Sequence, residues 1–104
     1  AAPLRALAAA VRAEGDSAWA AEATARGAAR ARAGDHAGAL ECYEAALSLA
    51  PRHADALVAK GAALASLKRF SQATDVLQSA LELAPGHEDG KAYLARIQER
   101  LAEA

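Results

Sequence analysis

Apolar residues along this chain recur at helical spacing and are cut into short runs by Gly, Pro and Asp. Leu57, Leu64 and Leu67 fall at i, i+7 and i+10, and Phe70, Ala73, Leu77, Ala80 and Leu81 resume an apolar face after Lys68-Arg69. A further stripe holds Tyr93, Leu94, Ile97 and Leu101, while Lys91, Arg96, Glu99, Arg100 and Glu103 fall mostly off it. No segment sustains period-two alternation, so strands are not expected. The interruptions lie at Gly15-Asp16-Ser17, Gly34-Asp35, Pro51-Arg52-His53, Lys68-Arg69 and the stretch from Pro85 to Gly90. Gly suits the left-handed residue after a helix, Asp and Ser suit an N-cap, and Pro cannot continue a helix. The pattern predicts helices at about 3–14, 17–33, 37–49, 54–67, 71–83 and 88–102.

The pattern also repeats. Laying Ala20 to His53 over Ala54 to His87 needs no gap and gives 13 identities in 34 columns, among them Gly27 with Gly61, Leu47 with Leu81, Leu49 with Leu83 and Pro51 with Pro85. A period of this length points to stacked supersecondary units, none able to bury its apolar face alone. Small residues recur where two helices of a unit would touch: Gly27 or Gly61 on the first, Ala39 with Ala46 or Ala73 with Ala80 on the second. Such positions bring helix axes to the short end of the roughly 8–10 Å range. A large side chain at either glycine is expected to push its hairpin open.

Composition sharpens the picture. Of 104 residues, 34 are Ala, against 13 Leu, three Val, two Tyr and one each of Ile, Phe, Trp and Cys. Alanine favours helix and close backbone approach but buries little surface. Net charge is −1, with 12 basic against 13 acidic residues, so no basic field is expected to collect nucleic acid or anionic lipid. Nothing approaches the ~20 apolar residues of a membrane span. The single Cys42 precludes an intramolecular disulfide and agrees with a reducing, cytoplasmic (intracellular) setting. The chain opens on Ala rather than Met, which suggests a piece of a larger protein.

These residues resemble the tetratricopeptide repeat family. The second unit supplies its pattern in full, with Leu57, Gly61, Leu64, Phe70, Ala73, Leu77, Ala80 and Pro85. The first supplies Gly27, the Gly34-Asp35 turn, Ala39, Tyr43, Ala46 and Pro51, but has Ala23 and Arg30 where larger apolar residues belong; Trp19, one turn earlier, is expected to cover the gap at Ala23. The resemblance implies an all-α, right-handed superhelical α-hairpin repeat. It would be one domain over 1–104, with repeats at 20–53 and 54–87 and a capping helix at 88–102. The stripe of Leu4, Leu7 and Val11 after Pro3 belongs either to an N-terminal cap or to the remnant of a preceding unit.

By the same resemblance, the first helix of each unit lines a concave groove that receives a peptide or helix of a protein partner. The groove residues would be Ala21, Thr24, Ala25, Ala28 and Arg32, then Asp55, Val58, Ala59, Ala62 and Ser66, then Asp89, Tyr93, Arg96 and Arg100, with Tyr93 the one bulky anchor. Some family members grip a chaperone's C-terminal carboxylate through Lys and Asn. The matching positions here hold Thr24, Ala28, Ala59, Asp89 and Tyr93, so that ligand is not expected, Asp89 being repulsive to it. Arg32, Arg96 and Arg100 could meet an acidic ligand at the rim, although exposed arginines also simply solvate Ala-rich helices.

Catalytic signals are weak, and neither an enzyme, a cofactor nor a metal is expected. His36, His53 and His87 read as solvated turn residues, His53 and His87 being a full repeat apart. Cys42 has no His-Asp company that would make it a nucleophile, and Gly86 and Gly90 make no phosphate cradle. The expected function is a protein–protein interaction module. The alternatives are a homo-oligomerisation surface and, further off, an appendage of an enzyme.

Overall fold

The computed structural model describes residues 18–103, and every regular element among them is an α-helix. The chain is helical from residue 18 to residue 32 (α1); α2 spans His36–Leu49, α3 Ala54–Ser66, α4 Phe70–Leu83 and α5 Glu88–Glu103. From the end of α1 onward every terminus falls within one residue of its expected place. The helix expected at 3–14, with Pro3, Leu4, Leu7 and Val11, lies outside the described residues.

The same punctuation is used twice. Ala50 and Ala84 follow α2 and α4 with φ of −132° and −138°, the extended conformation that a following proline imposes on its predecessor. Each turn then closes with an identical bond, His53 N to Ala50 O and His87 N to Ala84 O, both 3.0 Å. Within the hairpins, α1 and α3 end in matching left-handed caps. Gly34 (φ 89°) donates to Ala31 O while Asp35 N reaches back to Arg30 O; Lys68 (φ 63°) donates to Ala65 O while Arg69 N reaches Leu64 O. Asp35 also starts α2, its carboxylate accepting from Gly38 N at 2.9 Å. The second hairpin holds a lysine where the first holds a glycine, in a conformation that costs a non-glycine residue roughly 1–2 kcal/mol.

Helix α3 is central, packing on α2, α4 and α5, and α4 also supports α5. Among the described residues no polar or charged residue is fully buried. One cluster joins Val58, Leu64, Ala73, Leu77, Ala80 and Ile97; a second is all alanine, from Ala20, Ala23, Ala46 and Ala56; the third centres on Tyr43 with Ala39 and Ala63. Leu77 is the largest side chain fully out of water, a burial that stabilises by roughly 1.5–3 kcal/mol.

Both expected close approaches are present. A Cβ at Gly61 would lie 2.6 Å from Leu77 Cγ, and one at Gly27 would run into the Tyr43 ring. Each glycine therefore admits one large side chain from the facing helix. Trp19 does not cover Ala23. It is 42% exposed beneath the Arg26 guanidinium, 5.5 Å from ring centroid to Cζ, while Ala23 is buried by the other alanines of its cluster. Ala20, Ala46 and Ala56, with Leu47 and Ala50 packed against the cluster, close the gap without an indole.

Candidate functional site

Helices α1, α3 and α5 stand side by side and enclose an open trough of about 810 Å³. Its wall on α1 is Ala28, Ala31 and Arg32; on α3 it is Ala59, Ala62, Ala63, Ala65 and Ser66; on α5 it is Tyr93, Arg96, Ile97 and Arg100. His36 and Tyr43 of α2, Lys68 of the α3–α4 turn and Phe70 of α4 complete the lining. Tyr43, Ala63 and Ile97 are nearly sealed from solvent and form the base. The alanines of α1 and α3 are small enough to leave the trough open, whereas α5 contributes only larger side chains.

Of the residues expected to line a groove, Ala28, Arg32, Ala59, Ala62, Ser66, Tyr93, Arg96 and Arg100 meet in this one concavity. Six others lie outside its lining. Val58 points into the core against Ile97, and its methyl would lie 3.2 Å from a Cβ at Gly90. The Thr24 hydroxyl donates to Ala20 O at 2.7 Å and stays outside the lining, as do Ala21 and Ala25. Asp55 is bound to His87, 2.7 Å from Oδ1 to Nε2. Asp89, exposed in the first turn of α5, does not line the trough.

His87 is accordingly not a free turn residue. Gly90 N donates to its Nδ1 at 3.1 Å, which leaves the ring proton on Nε2 for donation to Asp55. His36 also does more than solvate a turn: it lines the trough, and its Nδ1 is buried with no hydrogen-bond partner among the described residues.

Sequence reasoning missed Tyr43, Phe70 and Lys68. Tyr43 and Phe70 belong to second helices, which the family pattern assigns to the outside, yet Gly27 lets the Tyr43 ring pass beneath α1 to the trough base. Tyr93 is therefore not the one bulky anchor. Burial pushes the Tyr43 phenol above its ordinary value of 10.0; Cys42 and Tyr93 add to the rise, and Arg32 opposes it.

Charge is segregated. Arg32, Lys68, Arg96 and Arg100 line the trough, and among the described residues no Asp or Glu does. The ion pairs among the described residues are Arg26–Glu22, Lys60–Glu44 and His87–Asp55, none of which takes a trough cation. Among the described residues there is no group of three His, Cys, Asp or Glu side chains placed to hold a metal ion, and no helix long and apolar enough to cross a membrane.

Comparison with curated protein sequences finds no match. Among solved structures, the first tetratricopeptide domain of Spaghetti (RPAP3), bound to the HSP90 peptide SRMEEVD, is similar at a TM-score of 0.75 and 26% identity, over 80% of this chain and 66% of that one. The second such domain of human RPAP3, in complex with the HSP70 peptide SGPTIEEVD, is similar at a TM-score of 0.72 and 22% identity, over 76% of this chain and 66% of that one. The latter likeness shows the fold alone, and the chain spans just under two thirds of the length of either structure. A model of the tetratricopeptide repeat matches residues 30–97, from the last turn of α1 into α5. That match covers more than half of the sequence, and the chain belongs to the tetratricopeptide repeat family.

Proposed function

We propose that this chain is a protein–protein interaction module whose trough seats a short segment of a partner protein. One observation carries the reading: side chains from α1, α3 and α5, distant in sequence, converge on a single open concavity whose small residues leave room for a ligand backbone. Family membership supports it, as do two similar structures solved with peptides bound. In this reading the repeats are 20–53 and 54–87, with α5 as the cap.

The expectation that chaperone C-terminal peptides are poor ligands is withdrawn. It rested on Thr24, Ala28, Ala59, Asp89 and Tyr93 standing where Lys and Asn would grip, and on repulsion by Asp89; the trough lining leaves out Asp89 and holds four cations at other positions, Arg32, Lys68, Arg96 and Arg100. The two peptides bound by the similar structures both end in Glu-Glu-Val-Asp.

With a contact area at or below ~1,200 Å², binding by the trough alone falls in the micromolar range. Amide shift mapping by NMR during peptide titration tests the reading. Shifts should concentrate on Ala28, Ala59, Ala62 and Tyr93, and Ala62→Glu should abolish them with helicity unchanged. Shifts confined to the outer faces of α2 and α4 would place the interaction elsewhere.

A further inference from the structure

We infer that the trough selects an acidic segment of its partner through several side-chain carboxylates rather than through a chain terminus. This rests on the binding reading above and specifies its ligand. The first ground is charge. A chain with net charge −1 gathers Arg32, Lys68, Arg96 and Arg100 into one concavity, with no carboxylate in the lining and no ion-pair partner within 4.0 Å among the described residues. All four side chains are exposed, so a single carboxylate paired with any one of them gains little, and binding needs several such pairs together. The cations also stand on three separate elements: α1, the α3–α4 turn and α5. One terminal carboxylate cannot satisfy cations so distributed, whereas a segment carrying several Asp or Glu side chains can.

The second ground is the backbone at Lys68. Its φ of 63° belongs to glycine's region, and the equivalent position of the first hairpin is Gly34 at φ 89°. The two caps make the same hydrogen bonds, so the turn itself gains nothing from a lysine. What the lysine adds is a cationic side chain on a residue that borders the trough. A strained conformation is retained where the side chain it carries has work that the backbone does not supply.

The experiment is a peptide array in which acidic, neutral and basic peptides of about 12 residues are each made with both ends blocked and with a free C-terminus. It is probed with the wild-type chain and with Lys68→Gly, Arg96→Gln and, as a control outside the trough, Arg52→Gln. End-blocked acidic peptides should be retained, and more weakly as salt is raised. Affinity should fall about five- to tenfold in Lys68→Gly and in Arg96→Gln but not in Arg52→Gln, with Lys68→Gly melting higher than wild type. Retention of free-C-terminus peptides alone, of neutral or basic peptides as strongly as acidic ones, or equal binding by Lys68→Gly would overturn the inference and leave the groove reading standing. If no peptide of any class binds, the groove reading falls, and the inference with it.

Discussion

His87 and Asp55 join the turn before α5 to the first turn of α3 by a 2.7 Å bond that crosses from one hairpin to the next. The same imidazole caps α5 by accepting from Gly90 N, so one side chain both starts the helix and docks it. The equivalent residues of the preceding repeat are His53 and Ala21, which cannot form this pair, and His53 makes no side-chain cap to α3. His87→Ala should destabilise the chain by about 1 kcal/mol, the loss of a cap and a hydrogen bond. Asp55→Ala should do less, because its carboxylate is 72% exposed. Hydrogen exchange reports this locally: α5 amides should exchange faster in both variants and α2 amides should not. Equal protection of α5 in His87→Ala and wild type would remove the latch.

At Gly61 the prediction concerns steric fit. Gly61→Leu should cost about 1–3 kcal/mol by driving a side chain into Leu77. Pairing Gly61→Ala with Leu77→Val should recover part of the loss suffered by Gly61→Ala alone, since the two sites share one volume. Thermal melts of the four proteins in that cycle measure the coupling, and strict additivity would show that the helices have room to spare.

Lys68→Gly relieves a left-handed lysine and should stabilise the fold by about 1 kcal/mol, since the native φ favours glycine more than the unfolded chain disfavours it. For a domain of this size the melting temperature should rise by about 4–8 °C. A lower melting temperature would mean that the aliphatic stem of Lys68 packs more tightly than its exposed position indicates.

Tyr43 sets an alkaline limit. Its phenol, neutral when protonated, is held above 10.0 in the folded chain mainly by burial. Below pH 10 both folded and unfolded states keep the proton, so this contribution is intact. As pH rises from 10 through the folded value, the unfolded chain releases the proton first and stability falls. Urea melts between pH 9 and pH 11.5 should show the decline. Tyr43→Phe should flatten it, and Tyr93→Phe should leave most of it in place.

Much of this architecture was legible because the signals are local. Proline after Ala50 and Ala84, and the breaks at Gly34 and Lys68, mark helix ends through backbone sterics that need no tertiary context. Gly27 and Gly61 announced close approach for the same reason. The site was less legible because lining a concavity depends on rotation about each helix axis. One residue is 100° of that rotation, enough to turn Val58 into the core while Ala59 and Ala62 stay on the trough. Lys68 read only as a break, since a sequence does not reveal that its left-handed cap borders the trough. The Asp55–His87 bond spans 32 residues, and nothing short of the stacked hairpins brings its ends together.

The gathering of cations into one hollow also shapes how this molecule meets others. A net charge of −1 makes it almost invisible to long-range electrostatic steering, and ion-exchange behaviour would describe it as unremarkable. Within about one Debye length, ~8 Å at physiological salt, its front differs from its back. Partner choice is thereby deferred to the final approach, where only a correctly turned face feels the pull.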